Sequence, residues 1–222
     1  METRGTMQLN RRLAYSRLLL RTHPRRYVNL FRTIYKFRCR TLVEIGTWNG
    51  VHAEQMIQVA AIRAGMDRVR YSGFDLFEEL TEQQLRDEFS KRPASYEEVA
   101  RRLQRTGAEI ILHRGNTRAT LPLAADELRR ADLVFVDGGH SIETISADWA
   151  SVQRAMGPRT TVLFDDYYPD RVPALEGLGC QSIVDSLDPL RYTVELLEPT
   201  DAFDQPWGTL RVKMARVRMR TS

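Results

Sequence analysis

From Thr41 onward, short runs of apolar residues alternate with longer segments in which apolar residues recur at helical spacing. The runs predict seven strands, over residues 41–45, 70–74, 108–113, 131–136, 160–164, 192–196 and 209–215. The periodic segments predict helices over residues 50–64, 78–106, 121–130 and 141–156, and a turn and helix up to about Leu187. Pro93 divides residues 78–106 into two segments. Because strand–helix alternation requires right-handed crossovers, we predict an α/β protein with a doubly wound, mostly parallel seven-stranded sheet and an antiparallel last strand.

The first 40 residues have a different pattern. Residues 8–21 and 25–37 have helical spacing, and His23-Pro24 interrupts them. This segment carries 11 Lys or Arg and a single acid, Glu2. We therefore divide the chain into a basic amphipathic helical extension, 1–40, and a main domain, 41–222, with a helical insert at about 78–106. The first helical stretch can dock on the domain, on a membrane surface or on a second subunit. The basic charge can contact nucleic acid, anionic lipid or an acidic substrate, or it can neutralise the acidic domain or stay solvated.

Composition excludes several classes of protein. No apolar run reaches the roughly 18 residues of a membrane span, and none has the form of a secretory signal. The two cysteines, Cys39 and Cys180, form neither a metal-ligand pair nor a disulfide framework. We therefore expect a cytoplasmic protein, with peripheral membrane contact and homo-oligomer formation left open.

The loop after the first strand reads Glu44-Ile-Gly46-Thr-Trp-Asn-Gly50. Gly46 allows a sharp turn and close approach of a ligand to the backbone. Glu44 can receive a cationic group. Thr47 and Asn49 fill the loop, which differs from the G-x-G-x-x-G fingerprint that bares a helix N-terminus to a dinucleotide. This disfavours a nicotinamide oxidoreductase.

Polar residues also follow the next two strands. Asp75 closes the second strand, where a carboxylate can accept both hydroxyls of a ribose, although it can equally cap the following helix. Asn116 follows the third strand, where its amide can bind a nucleobase edge or can cap a helix. Since parallel sheets bind ligands at the carboxyl ends of their strands, both residues are candidate cofactor contacts.

Three aspartates follow the fourth and fifth strands: Asp137, Asp165 and Asp166. Converging carboxylates repel one another unless something neutralises them, and Mg²⁺ is the divalent cation that best suits oxygen ligands. His140 stands three residues after Asp137, where an imidazole can move a proton, cap a helix or pack in the core. We predict a Mg²⁺ site at the three aspartates with His140 beside it.

The set Glu44-x-Gly46-x-x-x-Gly50, Asp75, Asp137-Gly-Gly-His140 and Asp165-Asp166 resembles class I S-adenosylmethionine-dependent methyltransferases, which have a Rossmann-like fold. Within them it looks like the metal-dependent macrolide-sugar O-methyltransferase and cephalosporin-hydroxylase-type group. The resemblance covers residues 41–215. It implies S-adenosylmethionine (SAM) and Mg²⁺ as cofactors and His140 as the general base. The implied cofactor contacts are Glu44, Gly46, Thr47, Asn49, Asp75, Asn116 and Asp137, and the implied metal ligands are Asp137, Asp165 and Asp166.

The methyl acceptor implied by this resemblance is a hydroxyl of a small molecule or saccharide. Two other functions remain as alternatives. A nucleic-acid methyltransferase would use the basic N-terminus, but no N-P-P-Y-type tetrapeptide follows the fourth strand, so a nucleic-acid substrate is disfavoured. A non-catalytic Rossmann-like module would bind a membrane or a partner through the same basic segment.

Overall fold

The computed structural model describes residues 4–88 and 91–220. Seven strands form one sheet in the order β3-β2-β1-β4-β5-β7-β6. Strands β1 to β5 are parallel, and β7 runs antiparallel to both β5 and β6. The strands are β1 Thr41–Ile45, β2 Arg70–Asp75, β3 Glu109–Arg114, β4 Leu133–Val136, β5 Thr161–Tyr167, β6 Tyr192–Gln205 and β7 Gly208–Met219. The predicted fold is thereby confirmed.

Nine α-helices lie in the described part of the chain and cover both faces of the sheet. They are α1 Arg4–Arg21, α2 Val28–Phe37, α3 Val51–Ala64, α4 Glu82–Asp87, α5 Tyr96–Gln104, α6 Thr117–Leu123, α7 Ala125–Arg130, α8 Ile142–Ala155 and α9 Gln181–Asp185. None of the helices in the described ranges is long and apolar enough to cross a membrane.

Alternate residues of the strands enter two separate cores, one on each face of the sheet. Val43 and Ile45 of β1 join the core beneath α6, α7 and α8, whereas Leu42 joins the core beneath α2, α3 and α5. This division follows from the two-residue period of a strand, which sends successive side chains to opposite faces. Both faces of β1 are therefore buried, as in other parallel sheets covered by helices.

Helix α2 is packed into the second core. Val28, Leu30, Phe31 and Ile34 are almost completely buried, and they lie on one side of a strongly amphipathic helix. The docking alternatives concern the first helical stretch, which is α1, and its Leu18 and Leu19 pack partly buried against the same core. The boundary drawn at residue 40 stays a prediction.

The insert between β2 and β3 contains two short helices, α4 and α5, which lie on either side of Pro93. Thr81 and Ser95 each begin a helix with a reciprocal capping box, so each helix has its own start signal. Between the two helices, Ala94 donates its backbone N–H to the carbonyl of Trp48, 3.3 Å away. The insert is thus attached to the loop that follows β1.

The last two strands are much longer than predicted. They form a hairpin of 14 and 12 residues that is paired up to Gln205 and Gly208. A register shift between Leu197 and Asp201 interrupts the pairing. Pro199 lies within that shift, where the missing N–H costs no ladder hydrogen bond. The parts of β6 and β7 nearest the hairpin turn are polar and alternate only weakly, so the sequence did not predict this extension.

Candidate active site

The predicted site residues lie along the edge of the sheet where β1, β2, β4 and β5 end. Gly46 follows β1 with a φ of +94° and donates its N–H to the carbonyl of Phe74, 2.8 Å away. A Cβ at Gly46 would lie 2.0 Å from the carbonyl oxygen of Asp137. Glycine is therefore required here by the backbone that follows β4, which occupies the space a side chain would need.

Asp75 holds the loop after β1 in place. Its Oδ2 accepts the backbone N–H of Trp48 at 2.7 Å, and its Oδ1 accepts that of Phe77 at 2.9 Å. Both donors have positive φ angles near 49°, which makes these hydrogen bonds important for the loop shape. Burial raises the pKa of Asp75, and the backbone hydrogen bonds oppose that rise.

Glu44 lies beneath this loop and not at the surface of the site. It is 1% exposed, and its carboxylate accepts a short hydrogen bond from the hydroxyl of Tyr71. The Tyr71 hydroxyl also lies 3.4 Å from Oγ1 of Thr47, which is itself buried. Burial raises the pKa of Glu44 to about 8; the Tyr71 hydrogen bond opposes this and Asp75 adds to it. The three side chains form a buried polar chain that supports the loop.

The two predicted asparagines begin helices. Oδ1 of Asn49 accepts the backbone N–H of Val51 at 3.0 Å at the start of α3. Oδ1 of Asn116 accepts the N–H of Arg118 at 2.9 Å and caps α6. The cap that the sequence offered as one use of Asn116 is therefore formed. Its exposed side chain keeps its amide N–H groups for another acceptor.

Asp165 is paired with an arginine from the N-terminal segment. The Nε and Nη2 atoms of Arg26 donate to its two oxygens at 2.6 and 2.7 Å. Arg26 is 8% exposed and Asp165 is 2% exposed. Burial and the charge of Asp166 raise the pKa of Asp165, whereas Arg26 lowers it. Because a guanidinium stays charged and this geometry is bidentate, Asp165 is held as a carboxylate.

The next residue of the chain, Tyr27, reaches the second predicted aspartate. Its hydroxyl donates to Oδ2 of Asp137 at 2.8 Å, and its ring stacks on His52 with centroids 4.0 Å apart. The pKa of Asp137 is well above its ordinary value because of burial and the neighbouring charges of Asp165 and Asp166. A hydrogen-bonded tyrosine and a raised pKa both reduce the negative charge that Asp137 brings to the site.

Asp166 is directed to His140. Nε2 of His140 lies 3.0 Å from Oδ2 of Asp166, and Tyr168 also donates to this carboxylate. A register shift in β5 between Phe164 and Tyr167, together with a φ of 55° at Asp166, turns this residue out of regular strand geometry. Adjacent aspartates therefore meet different partners.

His140 is also held from its other side. Its Nδ1 lies 2.5 Å from the backbone carbonyl of Glu88, in the insert. The Glu88 carboxylate accepts the N–H of Ser141 at 2.7 Å and the hydroxyl of Thr144 at 2.5 Å, which fixes the start of α8. Burial alone would lower the pKa of His140, but the charge of Asp166 and the hydrogen bond to it raise that pKa to about 9. The imidazole is thus oriented by both of its nitrogens.

Within the described residues, Asp137, His140 and Asp166 form a group whose ligand atoms lie within 4.8 Å of one another. Asp165 is not part of that group, because both of its oxygens face Arg26. The structure thus brings His140 together with two of the three predicted metal ligands and directs the third elsewhere.

Several groups at this site were not found from the sequence: Arg26, Tyr27, Glu88 and Tyr168. Arg26 and Asp165 are 139 positions apart, and no local spacing connects them. Tyr168 directly follows the predicted strand end, so its position in Asp165-Asp166-Tyr167-Tyr168 was the one usable signal.

Two surface cavities lie away from the carboxylates. One, of about 470 Å³, is lined by residues of α3 and α5 and shares only Asn49 with the predicted site. The other, of about 420 Å³, lies between α2 and β6 and shares none. The chemistry of the strand ends, rather than cavity size, therefore identifies the candidate site.

The fold and the glycine loop define a class I methyltransferase architecture, in which the last strand of the sheet is reversed. Residues 43–167 match the model of a family described as a methyltransferase domain, which is more than half of the chain. The chain belongs to this methyltransferase family. The resemblance to class I methyltransferases found in the sequence is confirmed.

Solved structures agree on the fold. The chain is similar to an O-methyltransferase from Bacillus cereus in complex with SAH, with 14% identity, 98% and 93% of the two chains covered and a TM-score of 0.57. It is similar to the O-methyltransferase TomG from Streptomyces achromogenes, in complex with SAM, with 17% identity, 98% and 91% coverage and a TM-score of 0.56. An rRNA methylase from Streptococcus thermophilus is similar at 14% identity, 90% and 99% coverage and a TM-score of 0.57. No curated protein sequence matches significantly.

The buried Glu44 carboxyl generates a prediction about stability. A carboxyl whose pKa rises from 4.5 in the unfolded chain to about 8 in the folded protein is protonated preferentially in the folded state. Below pH 4.5 this pKa difference does not change the free energy of unfolding. The free energy of unfolding falls as the pH rises from there to about 8. Glu44→Gln keeps an acceptor for Tyr71 and removes this loss. In urea unfolding, we compare the free energy of unfolding of the variant with that of the wild type. The difference in favour of the variant should be about 3 kcal/mol larger at pH 8 than at pH 5.5.

The matched control is Glu109→Gln, which changes an exposed carboxylate on β3. Its effect on the free energy of unfolding should be nearly the same at the two pH values. If Glu44→Gln behaves in the same way as this control, Glu44 is ionised in the folded protein and the proposed burial effect is wrong.

Proposed function

We propose that this protein transfers the methyl group of SAM to a hydroxyl oxygen of a small molecule or saccharide, with His140 as the general base. The observation that carries the proposal is the His140–Asp166 pair, 3.0 Å apart, at the strand edge that also carries the glycine loop and Asp75. Family membership supports methyl transfer. Neighbours named as O-methyltransferases, two of them in complex with SAH or SAM, support oxygen as the acceptor atom and SAM as the donor.

The residues present fit such a cofactor. Asp75 places a carboxylate at the end of β2, where such a group can accept the hydroxyls of a ribose, and the exposed amide of Asn116 lies after the neighbouring strand β3. Gly46, Thr47 and Asn49 form the loop beside them, and we assign this loop and Asp137 to the methionine end. Glu44 lies beneath that loop and supports its shape through the hydrogen bond that it accepts from Tyr71. When bound, SAM supplies a methyl group made electrophilic by its sulfonium.

His140 has the geometry of a positioned base. The carbonyl of Glu88 and the carboxylate of Asp166 hold its two nitrogens, so the ring cannot rotate freely. The sulfonium of bound SAM would supply the methyl group and accept the electron pair of the broken carbon–sulfur bond. His140 would take the hydroxyl proton on Nε2, which must first exchange the Asp166 carboxylate for the acceptor hydroxyl, while Nδ1 stays on the Glu88 carbonyl. The products are the methyl ether, S-adenosylhomocysteine and an imidazolium that Asp166 stabilises. Holding the acceptor beside the methyl group supplies much of the remaining rate enhancement.

The Mg²⁺ site predicted from the sequence does not fit the donor set as predicted. Each of the three aspartates already has a protein partner: Tyr27 for Asp137, Arg26 for Asp165 and His140 for Asp166. An ion at the remaining group would take His140 as a ligand, although Mg²⁺ favours oxygen donors and the reaction needs the imidazole free. We therefore assign no step to a metal ion.

Nucleic acid is the second candidate acceptor, because the rRNA methylase shares the fold to the same degree as the O-methyltransferases. The basic N-terminal segment agrees with it, but α2 and the turn before it are committed to the core and to the carboxylates. RNA binding that weakens steeply with salt would favour this second candidate.

The first test of the proposed function is calorimetric titration of S-adenosylhomocysteine into the purified protein. Wild type should show saturable binding with micromolar affinity. Asp75→Ala and Asp75→Asn should each weaken binding by about tenfold or more, because each removes hydrogen-bond acceptors from the ribose position. Asp67→Ala, which removes an exposed carboxylate, is the control and should bind as the wild type does. Absence of binding by the wild type contradicts the proposal that this site binds SAM and transfers its methyl group.

A second prediction concerns His140. In the cofactor-free protein its pKa is about 9, so the ring is protonated at neutral pH and must lose a proton before it can act as a base. The rate of methyl transfer should therefore rise with pH and level off near pH 9. Radiolabelled SAM with a panel of phenols, catechols and hexoses provides the assay.

His140→Ala should lower the rate by about 10²–10⁴-fold and remove the rise with pH. His23→Ala, which changes an exposed histidine before α2, should keep both the rate and the profile. A His140→Ala variant with the wild-type pH profile would show that another group takes the proton.

A further inference from the structure

The turn before α2 places the guanidinium of Arg26 at the centre of the candidate active site. Arg26 is the only arginine or lysine in the described residues that an ion pair joins to Asp137, Asp165 or Asp166. Its two hydrogen bonds to Asp165 use both carboxylate oxygens, at 2.6 and 2.7 Å. Burial opposes the charge of the guanidinium, but attraction to Asp165 outweighs it and raises the pKa of Arg26. This cation is therefore permanent.

The backbone of the turn is fixed independently of the guanidinium. Asp201 of β6 accepts the backbone N–H groups of Arg25 and Arg26, both at 2.8 Å. The side chain of Arg25 donates to the carbonyl of Leu19 at 2.7 Å and so ties the turn to the end of α1. Arg26 is thus held from the hairpin and from the preceding helix, and its position does not depend on Asp165 alone.

A protein group faces each carboxyl of the cluster. The guanidinium of Arg26 faces Asp165 and, at 3.4 Å, Asp201, and the imidazole of His140 faces Asp166. The remaining carboxyl, Asp137, accepts the hydroxyl of Tyr27. The sequence predicted a divalent cation because converging carboxylates repel one another. These protein groups relieve that repulsion.

Binding of a divalent ion would break contacts that are already made. An ion held by Asp137, His140 and Asp166 would have to replace the hydrogen bond between His140 and Asp166. An ion at Asp165 must displace the bidentate guanidinium from a buried site, which leaves Arg26 with its longer, 3.4 Å contact to Asp201 in place of two short hydrogen bonds. Removing one partner from a buried pair typically costs about 3–5 kcal/mol. The arrangement therefore disfavours both positions.

We propose that Arg26 is the resident cation of this carboxylate cluster and that the protein binds its cofactor and transfers methyl groups without a divalent metal. The proposal rests on the methyl transfer proposed above, and it assigns Arg26 as a positioning residue. The guanidinium fixes Asp165 and neutralises it, and through the adjacent residue it places the Tyr27 hydroxyl on Asp137. The residues that resemble a metal site then serve as a hydrogen-bonded platform for His140.

The test measures metal binding directly. Mn²⁺ is titrated into the protein saturated with S-adenosylhomocysteine and followed by electron paramagnetic resonance of free Mn²⁺. Wild type should bind no Mn²⁺ below about millimolar concentration. Arg26→Ala leaves Asp165 without its guanidinium and should bind one Mn²⁺ at least about tenfold more tightly. Arg32→Ala removes the same charge from the exposed side of α2 and should behave as the wild type does.

Three results would overturn the proposal. One is stoichiometric micromolar Mn²⁺ binding by the wild type that Asp166→Asn abolishes. A second is a folded Arg26→Ala protein with no gain in Mn²⁺ affinity. A third is methyl transfer that EDTA stops and Mg²⁺ restores. If Arg26→Ala does not fold, the wild-type titration decides alone. Binding of S-adenosylhomocysteine, measured calorimetrically, separates failure of this inference from failure of the proposed function.

Discussion

The ion pair between Arg26 and Asp165 is the constraint on which the arrangement of the candidate active site depends. Both groups are buried, and a buried charge without a partner costs several kcal/mol. The pair joins the turn before α2 to the end of β5 and thereby sets the position of Tyr27 on Asp137. It also satisfies Asp165, so Asp166 and His140 form their own pair. An N-terminal segment that looks separate in the sequence is in this way part of the site.

The sheet could be predicted from the sequence because its strands are short, buried on both faces and separated by helices with clear starts. The positions of Gly46, Asp75, Asp137 and Asp166 followed, since parallel strands end at one edge. The partner of Asp165 could not be predicted, because Arg26 lies 139 positions away in a segment rich in arginine. The bulge in β5 also left no local signal, although it gives the two adjacent aspartates different partners.

The sequence indicated that the three carboxyls need positive charge or protons beside them. It did not predict which protein groups supply them. Three converging carboxyls need positive charge or protons, and the sequence pointed to Mg²⁺. In the structure a guanidinium, an imidazole and a tyrosine hydroxyl meet the same need. Protein groups and a metal ion are alternative solutions to one charge problem. A motif of acidic residues therefore indicates where charge must be balanced without specifying which cation balances it.

A double-mutant cycle on Arg26 and Asp165 tests the central interaction most directly. The free energy of unfolding is measured for the wild type, Arg26→Ala, Asp165→Ala and the double variant. Arg26→Ala leaves Asp165 without its guanidinium, and Asp165→Ala leaves Arg26 with its 3.4 Å contact to Asp201. The two effects should therefore be strongly coupled, by more than about 2 kcal/mol. Additivity of the two effects to within about 0.5 kcal/mol would show that the residues act independently, and it would contradict the organising role assigned to this pair.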